Sequence, residues 1–166
     1  MGPIRLKGQR VCNFAQVSER HWLNTRIMPH ISSDRSVAFL LREQPLNDAE
    51  QEWVAENVAE AERRLGGELT PEGLDELWAS LLREEHGDPN AAINMVGLAF
   101  GEMLARRLDL SWVALTDEHG TEIAVRGRAD FTVFPTNFIA KRYEARDTGF
   151  IAPAFDEMVL TAESLA

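Results

Sequence analysis

The chain has 166 residues, 45% hydrophobic and 27% charged, which is enough for one domain with a proper core and ordinary for a globular protein. Its net charge of -10 is unevenly placed: residues 1–46 hold 7 basic and 3 acidic groups, 47–88 hold 3 and 13, and 89–166 hold 7 and 11. The negative middle repels phosphate backbones and anionic lipid, so neither nucleic acid nor a membrane is an expected partner; a solvated acidic face or a basic partner protein is.

Residues 1–46 read as an N-terminal arm, partly irregular. Ser18 to Met28 reads as a short helix presenting Trp22, Leu23 and Ile27 and ended by Pro29, and the apolar run Val37 to Leu41 fits strand or helix equally. Trp22 and Phe39 are the residues expected to pack this arm on the rest. The lone cysteine, Cys12, excludes an intramolecular disulfide and reads as an inert thiol. The first residues form no apolar leader core, so a reducing, cytoplasmic setting is expected. The longest apolar stretch, Ala91 to Ala105, contains Asn94 and Glu102 and is too short to cross a bilayer.

From residue 47 to 166 the pattern predicts an α+β domain: three amphipathic helices, a small antiparallel β-meander, and a short C-terminal helix. Asn47 or Asp48 caps the first helix, acids fill its first turn, Arg63 and Arg64 its last, and Gly66-Gly67 stops it. Val54, Val58, Ala61 and Leu65 form its buried stripe. Thr70-Pro71 opens the second helix, whose Leu74, Leu77, Trp78, Leu81 and Leu82 fall on one face before His86-Gly87 ends it. Asp88-Pro89 repeats the start signal for a third helix to about Leu108, lined by Ile93, Val96, Phe100, Met103 and Leu104.

Gly97 and Gly101 lie inside that helix, where each costs about 1 kcal/mol relative to alanine. Close contact with the sheet or with Trp112 would compensate; a helix-dimer seam is the alternative.

Leu110 to Arg126 alternates with period two on both sides of Gly120, the pattern of a β-hairpin. Asp130 to Phe134 reads as a third strand stopped by Pro135. Pro135 to Glu144 reads as a short helical turn carrying Phe138, Ile139, Lys141 and Arg142, and Asp156 to Ser164 as a last helix.

The hairpin loop gathers Asp117, Glu118 and His119, the one dense cluster of ionisable groups expected in an exposed loop. Such a trio suits ligand binding or proton transfer, while an aspartate there also accepts backbone N–H bonds inside the turn. Metal binding asks for more ligands than one loop supplies, and His21, His30 and His86 stand in unrelated contexts. Lys141 and Arg142 are the second candidate, for an anion or carboxylate, or simply for pairing with Asp117 or Glu118. The sequence contains no G-x-S-x-G, P-loop, G-x-G-x-x-G, Cys/His metal spacing or H-E-x-x-H, which lowers the expectation of an enzyme without excluding one, and no cofactor is expected.

The runs Gly101-Glu-Met-Leu-Ala-Arg-Arg-Leu, Trp112-Val-Ala-Leu-Thr-Asp-Glu-His-Gly-Thr-Glu122, Val133-Phe-Pro and Ala140-Lys-Arg resemble a bacterial domain family of unknown function. That resemblance spans about Asn90 to Tyr143 and implies a small α+β protein without assigning an activity. Three functional expectations remain: a non-enzymatic adaptor- or immunity-like module whose acidic helical face, Asp48 to Asp88, meets a basic protein; a small-ligand binder or enzyme using Asp117, Glu118, His119 and Lys141; or a homodimer joined through a strand edge or a helix face.

Overall fold

A computed structural model describes residues 42–84, 88–117 and 120–165. Their order is β1 (Arg42–Pro45), α1 (Asp48–Leu65), α2 (Pro71–Arg83), α3 (Pro89–Leu108), β2 (Ser111–Asp117), β3 (Gly120–Arg126), a 3-10 turn (Arg128–Asp130), β4 (Thr132–Val133), α4 (Pro135–Tyr143) and α5 (Ile151–Ser164). The architecture is α+β, as the pattern predicts. The expected helix at Ser18 to Met28, the run Val37 to Leu41 and Cys12 lie outside the described residues.

Local chemistry sets the helix ends. Asn47 accepts from the Glu50 backbone N–H while Glu50 bonds back to the Asn47 N–H, a reciprocal cap that satisfies two otherwise orphaned donors. Gly66, at φ 70°, closes α1 in the left-handed conformation. Thr70 and Asp88 cap α2 and α3 through their side-chain oxygens, each with proline following.

The four strands pair antiparallel in chain order, β1-β2-β3-β4. β1 comes from the end of the expected arm and pairs Arg42–Pro45 with Thr116–Val113, so these four residues cover one edge of the hairpin. Both edge strands are short, and Pro45 removes a donor from β1, which blunts the edges against further pairing. The expected third strand contracts to Thr132–Val133, because Arg128–Asp130 coil into the 3-10 turn with Ala129 in the left-handed region.

The register separates two sheet faces. Ala114, Ile123, Val125 and Val133 face the helices and join Trp78, Phe100, Leu104, Ile139 and Ile151 in the main core. Val113, Leu115 and Ala124 face the other way and form a second cluster with Phe134.

The α3 glycines are explained by contact, as expected for Trp112 but also through α4. A Cβ on Gly101 would stand 2.5 Å from Trp112 Cη2 and 2.8 Å from Pro135 Cγ, and one on Gly97 would stand 2.7 Å from the Thr136 Cα. Helices α3 and α4 therefore approach closer than alanine allows, and Phe138 stacks on Phe100 with centroids 5.1 Å apart.

Helix α5 begins at Ile151, five residues before the expected Asp156. Its own N-cap, Phe150, offers no acceptor. Asp75 of α2 supplies one instead, accepting from the Ile151 N–H at 2.9 Å and the Ala152 N–H at 2.8 Å. Trp78 Nε1 donates to the Asp147 carbonyl at 2.8 Å and the Arg146 guanidinium donates to the Leu82 carbonyl. Three bonded groups on α2 thus hold the α4–α5 connection. Arg146 sits at φ 53°, with Asp147 N–H bonded to the Arg142 carbonyl and Arg146 N–H to that of Tyr143, a left-handed helix stop.

Candidate functional site

The hairpin places Asp117 opposite Gly120, leaving two residues, 118 and 119, between the strands. Asp117 Oδ1 accepts the Gly120 N–H at 3.1 Å, and Gly120 has φ 139°. This is the turn role available to an aspartate at that point. Glu118 and His119 lie outside the described residues, as do His21, His30, His86 and Cys12.

Lys141 and Arg142, adjacent in α4, do different work. Arg142 lies over Phe138 and Phe150, 4.2 Å and 4.9 Å from their centroids, and donates to the Phe138 carbonyl at 3.1 Å. Its charge is spent on aromatic faces and a helix carbonyl within its own neighbourhood. The Lys141 ammonium titrates below the usual lysine value, first through lost hydration and then through the Arg142 charge, with Glu122 pulling the other way. Asn137, one turn earlier on α4, donates to Glu122 Oε2 at 2.8 Å. By register Glu122 pairs with Leu115 and shares a sheet face with Asp117, two residues further along β2. The structure therefore brings Glu122 and Asn137 to Lys141, neither of which the local sequence singles out.

Two open grooves are also present. One, of about 520 Å³, runs between α1, α3 and the end of β1, floored by Leu46, Val54, Val58 and Trp112. Glu102 ties its end together: Oε2 accepts from Trp112 Nε1 at 2.9 Å and Oε1 from Arg106 Nε at 2.9 Å. Arg106 also reaches Glu62 of α1 at 3.4 Å. Burial works against the Arg106 charge, but the bonds and charges of Glu102 and then Glu62 outweigh it and raise its pKa. The Glu102–Arg106 spacing of four residues was the only advance sign of this network. The other groove, of about 410 Å³, lies among Trp53, Asn57, Leu81 and Met95. Among the described residues no three His, Cys, Asp or Glu side chains gather as a metal site, and no helix is long and apolar enough to cross a membrane.

Carboxylates on the helices divide into two sets. Glu60 pairs with Arg63 and Arg64, and Glu62 and Glu102 with Arg106. Asp48, Glu52 and Glu56, spaced four apart and exposed on α1, make no ion pair among the described residues, and neither do exposed Glu72 and Glu76 on α2.

Residues 74–155 match the model of a family described as a domain of unknown function, DUF3806. The matched segment starts inside α2, ends inside α5, and includes α3, the hairpin and α4. It agrees with the sequence resemblance in being a domain family without an assigned activity. No curated protein and no solved structure matches the chain.

Proposed function

We propose that this protein is a non-enzymatic interaction module, of adaptor or immunity type, that receives a basic partner protein on the acidic outer sides of α1 and α2 in a reducing, cytoplasmic setting. The observation that carries this reading is the row Asp48, Glu52 and Glu56. Like charges four apart on a helix oppose its formation by about 0.2–0.5 kcal/mol per pair, and no described cation offsets them. Glu72 and Glu76 repeat the spacing on α2. The helix dipole favours Asp48 and Glu72 in the first turns of α1 and α2, but Glu52 and Glu56 lie beyond the first turn without that offset, and a basic partner would relieve their repulsion.

The test compares the full chain with the variant Glu52→Lys/Glu56→Lys/Glu72→Lys/Glu76→Lys, each immobilised and exposed to the same cell extract. Circular dichroism first establishes that the variant keeps its helices. Basic proteins retained by the parent and released by the variant support the reading. Partners held equally by both refute it.

A second reading rests on Glu122, Asn137 and Lys141: a small-ligand site at the sheet end that carries Asp117, recognising a ligand with one anionic and one donor group. Its test is a chemical-shift titration with small carboxylates, in which Lys141→Met abolishes the perturbation of Glu122 and Asn137 signals. Any homodimer has short strand edges to work with, and light scattering on the full chain measures it directly.

A further inference from the structure

The groove beside α1 is apolar inside and acidic along its borders. Pro45, Ala55 and Ala59 are exposed along it and Trp112 is half-buried, over the floor of Leu46, Val54 and Val58. Its volume of about 520 Å³ falls within the range of clefts that hold a ligand, about 300–1,000 Å³. Glu62 and Glu102 line it too, and Arg106, the one cation lining it among the described residues, is bonded to both. The acidic row of α1 adjoins the same wall. Glu52 precedes Ala55 by three residues and Glu56 precedes Ala59 by three, the spacing of surface neighbours on a helix. Apolar floor and acidic lip therefore belong to one continuous surface.

We propose that this groove seats an amphipathic helix of the basic partner, with its apolar residues entering over Val54, Val58 and Trp112 and its lysines or arginines lying along Glu52 and Glu56. This rests on the reading of α1 as the face that meets a basic protein, and adds which part of that partner binds and where. Charge complementarity selects the cationic side: Glu52, Glu56, Glu62 and Glu102 border the groove against one arginine already held by two of them. Shape selects a helix. From Gln51 to Glu62 the α1 wall runs about 16 Å at about 1.5 Å per residue. Partner residues at i, i+4 and i+7 span about 11 Å and fit along it. The small side chains of Ala55 and Ala59 leave room for a second helix axis at about 8–10 Å. An added strand is disfavoured at the neighbouring edge, because Pro45 removes a donor from β1.

The probe is a leucine–lysine peptide of about five helical turns, patterned as an amphipathic helix, with the same composition in scrambled order as its control. Each is titrated into the isotope-labelled full chain, and the Trp112 indole N–H signal is assigned by its loss in Trp112→Phe. The patterned peptide is expected to shift that signal and to leave in place the signal of Trp78, which is fully buried and bonded to the Asp147 carbonyl. It is expected to bind about tenfold tighter than the scrambled peptide, the worth of one buried apolar side chain. Ala55→Gln/Ala59→Gln fills the groove with amides at exposed helical positions without changing the charge. With its helices verified by circular dichroism, this variant should bind the patterned peptide about tenfold more weakly and the scrambled one as before. Equal binding of the two peptides, equal binding by parent and amide variant, or no shift at Trp112 overturns the groove. In those cases, binding lost in the Glu52→Lys/Glu56→Lys/Glu72→Lys/Glu76→Lys chain leaves the acidic-face reading standing, and binding kept there counts against both.

Discussion

Removing the Asp75 carboxylate isolates the contribution of a cap supplied from another helix. Asp75 bonds two N–H groups of the first α5 turn at 2.9 Å and 2.8 Å, and Phe150 provides no substitute. A side-chain cap contributes about 0.5–2 kcal/mol, and a carboxylate at a helix N-terminus adds about 0.3–1 kcal/mol through the dipole. With both donors part-buried, Asp75→Ala is expected to cost about 2–3 kcal/mol. Asp75→Asn keeps an acceptor oxygen but loses the charge and one of the two bonds, so it is expected to cost about half as much. Urea titration followed by tryptophan fluorescence measures both, since Trp78 lies one turn away on α2. Amide exchange supplies the location: Ile151, Ala152 and the rest of α5 should lose protection before α3 does. A cost below about 0.5 kcal/mol for Asp75→Ala, or equal costs for the two variants, would refute the reasoning.

Gly97→Ala is expected to lower stability by about 1–2 kcal/mol, because overpacking costs about 1–3 kcal/mol and outweighs the helix-propensity gain; Gly101→Ala should behave alike, and thermal unfolding reads both. Trp112→Phe removes the bond to Glu102 and is expected to cost about 1 kcal/mol, with faster exchange at the α3 end by hydrogen–deuterium measurement. For Lys141 the folded pKa lies below the unfolded value of 10.5. The unfolded chain then binds more protons between the two, so this residue's contribution to stability is complete above 10.5 and declines as pH falls through the folded value. Lys141→Met should flatten that alkaline slope in urea titrations at stepped pH, and with Lys7 the only other lysine the side-chain NMR titration is simple to assign. Glu52→Gln/Glu56→Gln is expected to stabilise the free protein by a few tenths of a kcal/mol, as calorimetry at low salt would detect.

What the sequence reveals here follows from how local each determinant is. The starts of α1, α2 and α3 are written in adjacent residues, Asn47 with Glu50, Thr70 with Pro71 and Asp88 with Pro89, so they are legible. The hairpin is legible for the same reason, as is the turn role of Asp117. β1 is not: Arg-Glu-Gln-Pro has no strand pattern and is a strand only because β2 accepts it. The start of α5 is hidden because its cap lies on α2, 76 residues earlier. Lys141 is visible as an unusual lysine, but Glu122 becomes its neighbour only once α4 is in place, and the Trp112–Glu102–Arg106 network depends on β2 running back beside α3.

Asp75, Trp78 and Leu82 on one side, and Arg146, Asp147, Ile151 and Ala152 on the other, all fall within residues 74–155. The matched segment is therefore a ring fastened at its own extremities, with α3, the hairpin and α4 strung between. A break introduced anywhere along that ring leaves its two ends joined by the same fastening. Circular permutation that links the present termini and opens the chain at an exposed stretch inside it should accordingly be tolerated better than cutting at the clasp.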